Sequence, residues 1–169
     1  MSSPAHGHTA EAAGAGHGPA TSRRVNRPKD KDDLLKQLTE QGPFQDNRDV
    51  LVFAAALGWY EGRQVPLGVK GEAIRWETAT NRRGTEPLTN MIAAVRTGDP
   101  EILAADRFDE RLEIFEEYAN GGLEILRGML ASDPRPPVDV ILGLIQGVCR
   151  TDSEGETIDL SEAADSLEF

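Results

Sequence analysis

Apolar side chains recur at helical spacing through most of the chain between residues 30 and 150. Leu34, Leu35 and Leu38 form a narrow stripe that Gly42-Pro43 ends. Asp30 and Asp33 supply the cap and the negative charge that a helix start near Asp32 favours. A second helix is predicted from about Arg48 to Leu57, capped by Asp46 or Asn47. Val50, Phe53, Ala54 and Leu57 fall at i, i+3, i+4 and i+7, and Leu51, Val52, Ala55 and Ala56 fill the flanks. A helix apolar nearly all round belongs in the centre of a fold. Gly58 fits the left-handed position that stops it. From Trp59 to Thr80 the pattern breaks at Gly62, Pro66, Gly68 and Gly71, and Ala73–Trp76 reads as a short extended segment.

A third helix is predicted from Glu86 or Pro87 to Thr97, capped by Thr85 and stopped by Gly98, with Leu88, Met91, Ile92 and Val95 as its stripe. Asp99-Pro100 opens a short turn. The longest helix spans Asp106 to Ala131. Within it Asn120-Gly121-Gly122 marks either a break or a point of close packing, since each interior glycine costs up to about 1 kcal/mol. Asp133-Pro134-Arg135-Pro136-Pro137 is a linker, and a last helix follows. The expectation is a mainly α fold: one compact helical domain of about five helices over residues 27–150, with an irregular Gly/Pro-rich central loop. Its interior should hold Leu34, Leu38, Val50, Leu51, Phe53, Leu57, Ile92, Val95, Leu112, Phe115, Leu123 and Leu126.

Composition sets the limits of that domain. Residues 1–26 carry almost no large apolar side chains, and residues 151–169 are acidic; both tails are expected to be disordered. Ile158, Leu160, Leu167 and Phe169 remain available there to dock on a partner. The first tail has no apolar signal region, and no run approaches the about 20 residues of a membrane span. The lone Cys149 excludes an internal disulfide and a Cys-rich zinc site, which fits a reducing cytoplasm.

The net charge of −11 is unevenly spread. Arg23 to Arg83 holds twelve Lys/Arg against nine Asp/Glu, whereas Gly84 to Phe169 holds six against nineteen. Such a chain can present one face to DNA and another to a basic protein, although acidic residues also serve simply to solvate helices.

Catalytic constellations are missing from the pattern. Glu113, Glu116 and Glu117 have the helical spacing of metal-bridging carboxylates, but a carboxylate-bridged site also wants His, and His6, His8 and His17 all precede the folded region. These glutamates therefore read as a solvated acidic face or a protein-docking surface. No G-x-x-x-x-G-K-S/T loop occurs. No enzyme activity, metal or cofactor is expected. The basic residues fit phosphate contacts: Arg27, Lys29 and Lys31 after Arg23-Arg24, then Arg63, Lys70 and Arg75 in or beside the central loop, then Arg82-Arg83. Trp59 and Trp76, with Tyr60, either stack on a base or belong to the core.

Several short motifs, in a fixed order, resemble one family. They are Arg27-Pro28-Lys29-Asp30-Lys31, Asp49 to Gly58 (DVLVFAAALG), Gly62-Arg63 with Val65-Pro66-Leu67, Gly71 to Trp76 (GEAIRW), Thr97-Gly98-Asp99, and Leu112 to Leu126 (LEIFEEYANGGLEIL). Together they resemble the fourth of the families associated with DNA phosphorothioation, grouped with the Dnd sulfur-modification systems of bacteria and archaea. The tails and the last helix lie outside these motifs. The resemblance implies an accessory part in phosphorothioate-based DNA modification, restriction or antiviral defence, and it carries no catalytic residue. Two readings follow: a non-catalytic module that binds DNA weakly through its phosphates, or a scaffold that bridges larger subunits without touching DNA. A looser similarity, a basic lead-in followed by two helices and a Val-Pro turn, links the chain to the small ribbon-helix-helix-like DNA-binding subunit of the same machinery.

Overall fold

The computed structural model describes residues 23–80 and 84–154. Strand β1 (Arg24–Pro28) leads through a 3-10 turn to α1 (Asp32–Gln41) and α2 (Asn47–Tyr60). Strand β2 (Lys70–Arg75), α3 (Trp76–Thr80) and α4 (Thr85–Thr97) follow, then two 3-10 turns, α5 (Phe108–Ser132) and α6 (Pro137–Glu154). The fold is mainly helical, as its periodicity predicts, with six helices among the described residues rather than about five. No described helix is long and apolar enough to cross a membrane.

The one sheet found among the described residues is a two-stranded antiparallel ribbon, with Arg24 opposite Arg75, Val25 opposite Ile74 and Asn26 opposite Ala73. It draws on Arg24–Asn26, which composition assigns to the first tail, and α6 runs past the expected boundary at residue 150. A lone ribbon is marginal in water and needs a packed face. Val25 and Ile74 provide that face, lying beside Leu51, Val52 and Phe115.

Helices α2 and α5 make the spine. Asp46 caps α2 by accepting the Asp49 N–H at 3.0 Å. Gly58 does not end this helix, which runs on to Tyr60 before the chain turns at Gly62, where φ is 65°. Instead Gly58 is buried where α2 crosses α5: a Cβ there would collide with the carbonyl oxygen of Tyr118. Gly122 answers from α5, where a Cβ would strike the carbonyl oxygen of Ala54, and Gly121 leaves room for the backbone of Arg63. Asn120-Gly121-Gly122 is therefore a close-packing site in an unbroken helix.

Around the spine lie the buried side chains of Leu34, Leu38, Val50, Leu51, Leu57, Ile92, Leu112, Phe115, Leu123 and Leu126, as expected, joined by Leu35, Ile102 and Ile141. Two expected members are displaced. Val95 is 61% exposed, because α4 turns Thr85, Thr89, Ile92 and Ala93 inward, a stripe whose small residues allow close approach. Phe53 is half-buried at the flank of α2, its ring centroid 5.2 Å from that of Phe44.

Candidate nucleic-acid interface

The fold uses most of its cations on itself. Lys31 is only 3% exposed; its ammonium donates to Asn120 Oδ1 at 2.6 Å and to Asp30 at 3.2 Å, with Glu124 at 3.9 Å. Asn120 in turn donates to the carbonyls of Val65 and Pro66, so this network pins the central loop to α5. Arg27 lies largely covered between Asp32 at 3.1 Å and Glu72 at 2.8 Å. Arg63 is exposed but held by Glu124. Arg23 lies over the Phe108 ring and donates to the Ala105 carbonyl. Three of the expected phosphate contacts, Arg27, Lys31 and Arg63, are thus committed to structural partners. Arg82 and Arg83 lie outside the described residues.

Four cations remain. Among the described residues, Arg24, Lys29, Lys70 and Arg75 are exposed and carry no side-chain hydrogen bond or ion pair. All four belong to the ribbon or adjoin it. Arg24 and Arg75 are directly opposite one another, so both project from the face of the ribbon that Val25 and Ile74 leave free. The Lys29 N–H donates to the Val69 carbonyl and the Trp76 N–H to that of Arg23, extending the ladder at both ends. Lys29, Lys70 and Arg75 are among the expected contacts. Arg24 is not, although the polar-apolar alternation of Arg24-Val25-Asn26 is the signal that identifies it.

A cleft of about 290 Å³ separates the ribbon from α5, lined by Arg24, Asn26, Lys70, Asp109, Leu112, Glu113 and Glu116. The acidic helix face and the basic ribbon, separate in sequence, therefore share one concavity. Glu116 is buried at its base and its Oε1 accepts from the backbone N–H of Asn26 at 2.6 Å and from Asn26 Nδ2 at 2.9 Å. Glu113 is exposed, and Glu117 accepts from Gln64 Nε2. Burial pushes the Glu116 carboxyl above its ordinary value of 4.5, against the opposing pull of the Asn26 hydrogen bonds and of Lys70.

A carboxyl whose pKa is raised by folding adds stability that is present below its unfolded pKa and lost as pH rises through the folded value. Glu116→Gln keeps an acceptor for Asn26 and removes the charge. Thermal denaturation should show this variant gaining on the parent as pH rises above about 4. A difference that does not change with pH would mean that burial does not strain the ionised group.

The tryptophans do not form a stacking platform on the ribbon. Trp76 is buried, its ring edge-on to Phe108 at 5.0 Å. Trp59 lines an apolar groove of about 380 Å³ on another part of the molecule. Phe53, Ala56, Leu57 and Tyr60 of α2, Leu88 and Met91 of α4, and Leu144, Ile145 and Val148 of α6 form the walls of that groove. Among the described residues, no group of three His, Cys, Asp or Glu could hold a metal ion.

One family model matches the chain, over residues 24–163; its description is DNA sulphur modification system-associated protein 4. The match begins at Arg24, just before the first of the motifs that carry the resemblance in the sequence, and takes in the last helix, which lies outside them. No curated protein and no solved structure matches the chain.

Proposed function

We propose, from the premise that this chain belongs to the family of DNA sulphur modification system-associated protein 4, that its β1–β2 ribbon holds the phosphate backbone of DNA on behalf of that system. The observation that carries the reading is the set of four exposed cations, three on one small ribbon and Lys29 beside it, that the fold leaves without a side-chain hydrogen bond or ion pair. Like charges directly opposite on a ribbon are destabilising, so the Arg24–Arg75 pair costs the fold energy that an anion would return. A two-stranded ribbon also has the dimensions to enter a major groove. The role is binding rather than chemistry, with phosphate contacts supplying affinity and little sequence preference. The net charge of −11 works against long-range attraction, so the affinity is modest.

A mobility-shift titration of the full chain tests this. Arg24→Ala, Lys70→Ala and Arg75→Ala together should abolish most binding at low salt and leave the circular dichroism unchanged, since none of the three side chains makes a hydrogen bond or ion pair within the fold. Each phosphate contact removed should flatten the dependence of log K on log salt by about 0.9. A second reading is favoured by the apolar groove: an adaptor that joins larger subunits of the system. If the parent chain fails to bind DNA at low salt, with or without phosphorothioate, yet co-purifies with such a subunit, the adaptor reading replaces the first.

A further inference from the structure

The cleft between the ribbon and α5 sets opposite charges against each other without joining them. On the α5 wall stand Asp109, Glu113 and Glu116, at i, i+4 and i+7 and so on one helix face. On the ribbon wall stand Arg24 and Lys70. Asp109 is answered by Arg23 at 3.8 Å. Among the described residues, no hydrogen bond or ion pair joins Glu113 or Glu116 to either cation across the cleft. Glu116 is the built part of this arrangement, being only 5% exposed. Its Oε1 has both lone pairs taken by the two Asn26 N–H donors. Its Oε2 accepts nothing within the fold and is not sealed from solvent, so it opens on the cleft. A buried carboxylate oxygen without a donor is costly, and a charged donor repays that cost best.

Counting charges then narrows the ligand. With Asp109 paired to Arg23, two carboxylates face two cations. A lone anion entering here meets Glu113 and Glu116, and a lone cation meets Arg24 and Lys70. The match is a molecule without net charge that carries one cationic N–H group and one anionic group. The cleft of about 290 Å³ has room for such a molecule, with Leu112 in its lining. A recess of about 80 Å³ continues it past Glu113 and Glu116 to Pro66 and Leu67, which offer apolar surface to a hydrocarbon branch.

We propose that the cleft binds a free α-amino acid with an apolar side chain, its ammonium on Glu116 Oε2 and Glu113, its carboxylate on Arg24 and Lys70, and its side chain beside Pro66 and Leu67. The inference goes beyond the DNA reading. Arg24 and Lys70 serve in both, so the test is made without DNA and its result is the same whether or not the ribbon holds a phosphate backbone.

Ligand-detected NMR of the full chain with L-leucine, L-valine and L-methionine in turn should show saturable binding of at least one of them. For that amino acid, the N-acetyl form lacks the ammonium and the amide form lacks the carboxylate, and each should bind at least about tenfold more weakly. Glu116→Gln, which keeps the acceptor for Asn26, and Lys70→Ala should each weaken binding by a similar factor, with the circular dichroism unchanged. Met91→Ala, in the apolar groove elsewhere on the molecule, should leave binding as it is. Absence of saturable binding by the folded parent for all three amino acids overturns the proposal. So does equal binding of the amino acid and either derivative, or a Glu116→Gln variant that binds like the parent. Saturable binding of phosphoethanolamine in place of all three overturns it as well, and would make the cleft a site for another zwitterion.

Discussion

Gly122→Ala is expected to destabilise the protein by at least about 3 kcal/mol, the upper end of ordinary overpacking, and to leave little folded material at 37 °C. Overpacking is usually relieved by neighbouring side chains that shift. Here the atom in the way is the backbone carbonyl of Ala54, in the middle of α2, with Gly58 pressed against α5 only one turn further on. Relief would require the two longest-contacting helices of the domain to move apart and open the core between Val50, Leu51 and Leu123. Against a total stability of about 5–15 kcal/mol, that is a large fraction. Gly128, two turns along the same helix, is the control: a Cβ there meets nothing within 4 Å, so Gly128→Ala should stabilise by about 0.5–1 kcal/mol. Urea denaturation of the two variants beside the parent decides it. Similar effects from both would mean that the spine is not packed backbone to backbone.

Phe115→Ala should cost about 3–5 kcal/mol, the range for a fully buried aromatic that leaves a cavity. Phe115 is 1% exposed and projects from α5 into the space under the ribbon, next to Val25, Ile74 and Leu51. Its loss should therefore also loosen the ribbon, and hydrogen exchange at Val25 and Ile74 should quicken more than the change in global stability explains. Phe53→Ala removes the same ring from the half-buried flank of α2 and should cost distinctly less. If the two substitutions prove equally costly, the order of burial described for these rings is wrong.

That pair of phenylalanines shows how far the sequence can be read. Both lie on apolar helical stripes, and periodicity places both inside. Helix α2 is apolar nearly all round, so its pattern does not specify which side meets α5; the small residues Ala54, Ala55 and Gly58 do, because they admit the closest approach. The same principle corrects α4, where Thr89 and Ala93 face the core and Val95 faces out. Helix existence and order were legible because they depend on local spacing; of the caps, Asp46 and Gly98 stand where expected, whereas Lys31 and Gly84 precede α1 and α4 in place of Asp30 and Thr85, and Gly58 lies inside α2. The ribbon was only partly legible: Ala73–Trp76 reads as extended, but its partner strand lies forty-five residues away or more and adjoins a tail of low complexity. At the candidate interface, residue type alone could not separate the cations that the fold pairs internally from those it leaves exposed. Lys29 and Lys31 look alike in the sequence, yet one is exposed and the other is enclosed by Asn120, Asp30 and Glu124.

The facing pair Arg24 and Arg75 gives dissolved salt two opposite effects on this surface. Mobile ions screen the repulsion between the two guanidinium groups, over a distance of about 10 Å at 0.1 M, and so firm the ribbon. The same ions occupy the places that phosphates would take. Low ionic strength is thus the condition in which the ribbon is least settled by itself and, on the proposed reading, would grip a polyanion most strongly. A nucleic acid backbone does locally, with charges fixed in a line, what salt does diffusely throughout the solution. On the proposed reading, the ligand held by this surface would also be the one that quiets it.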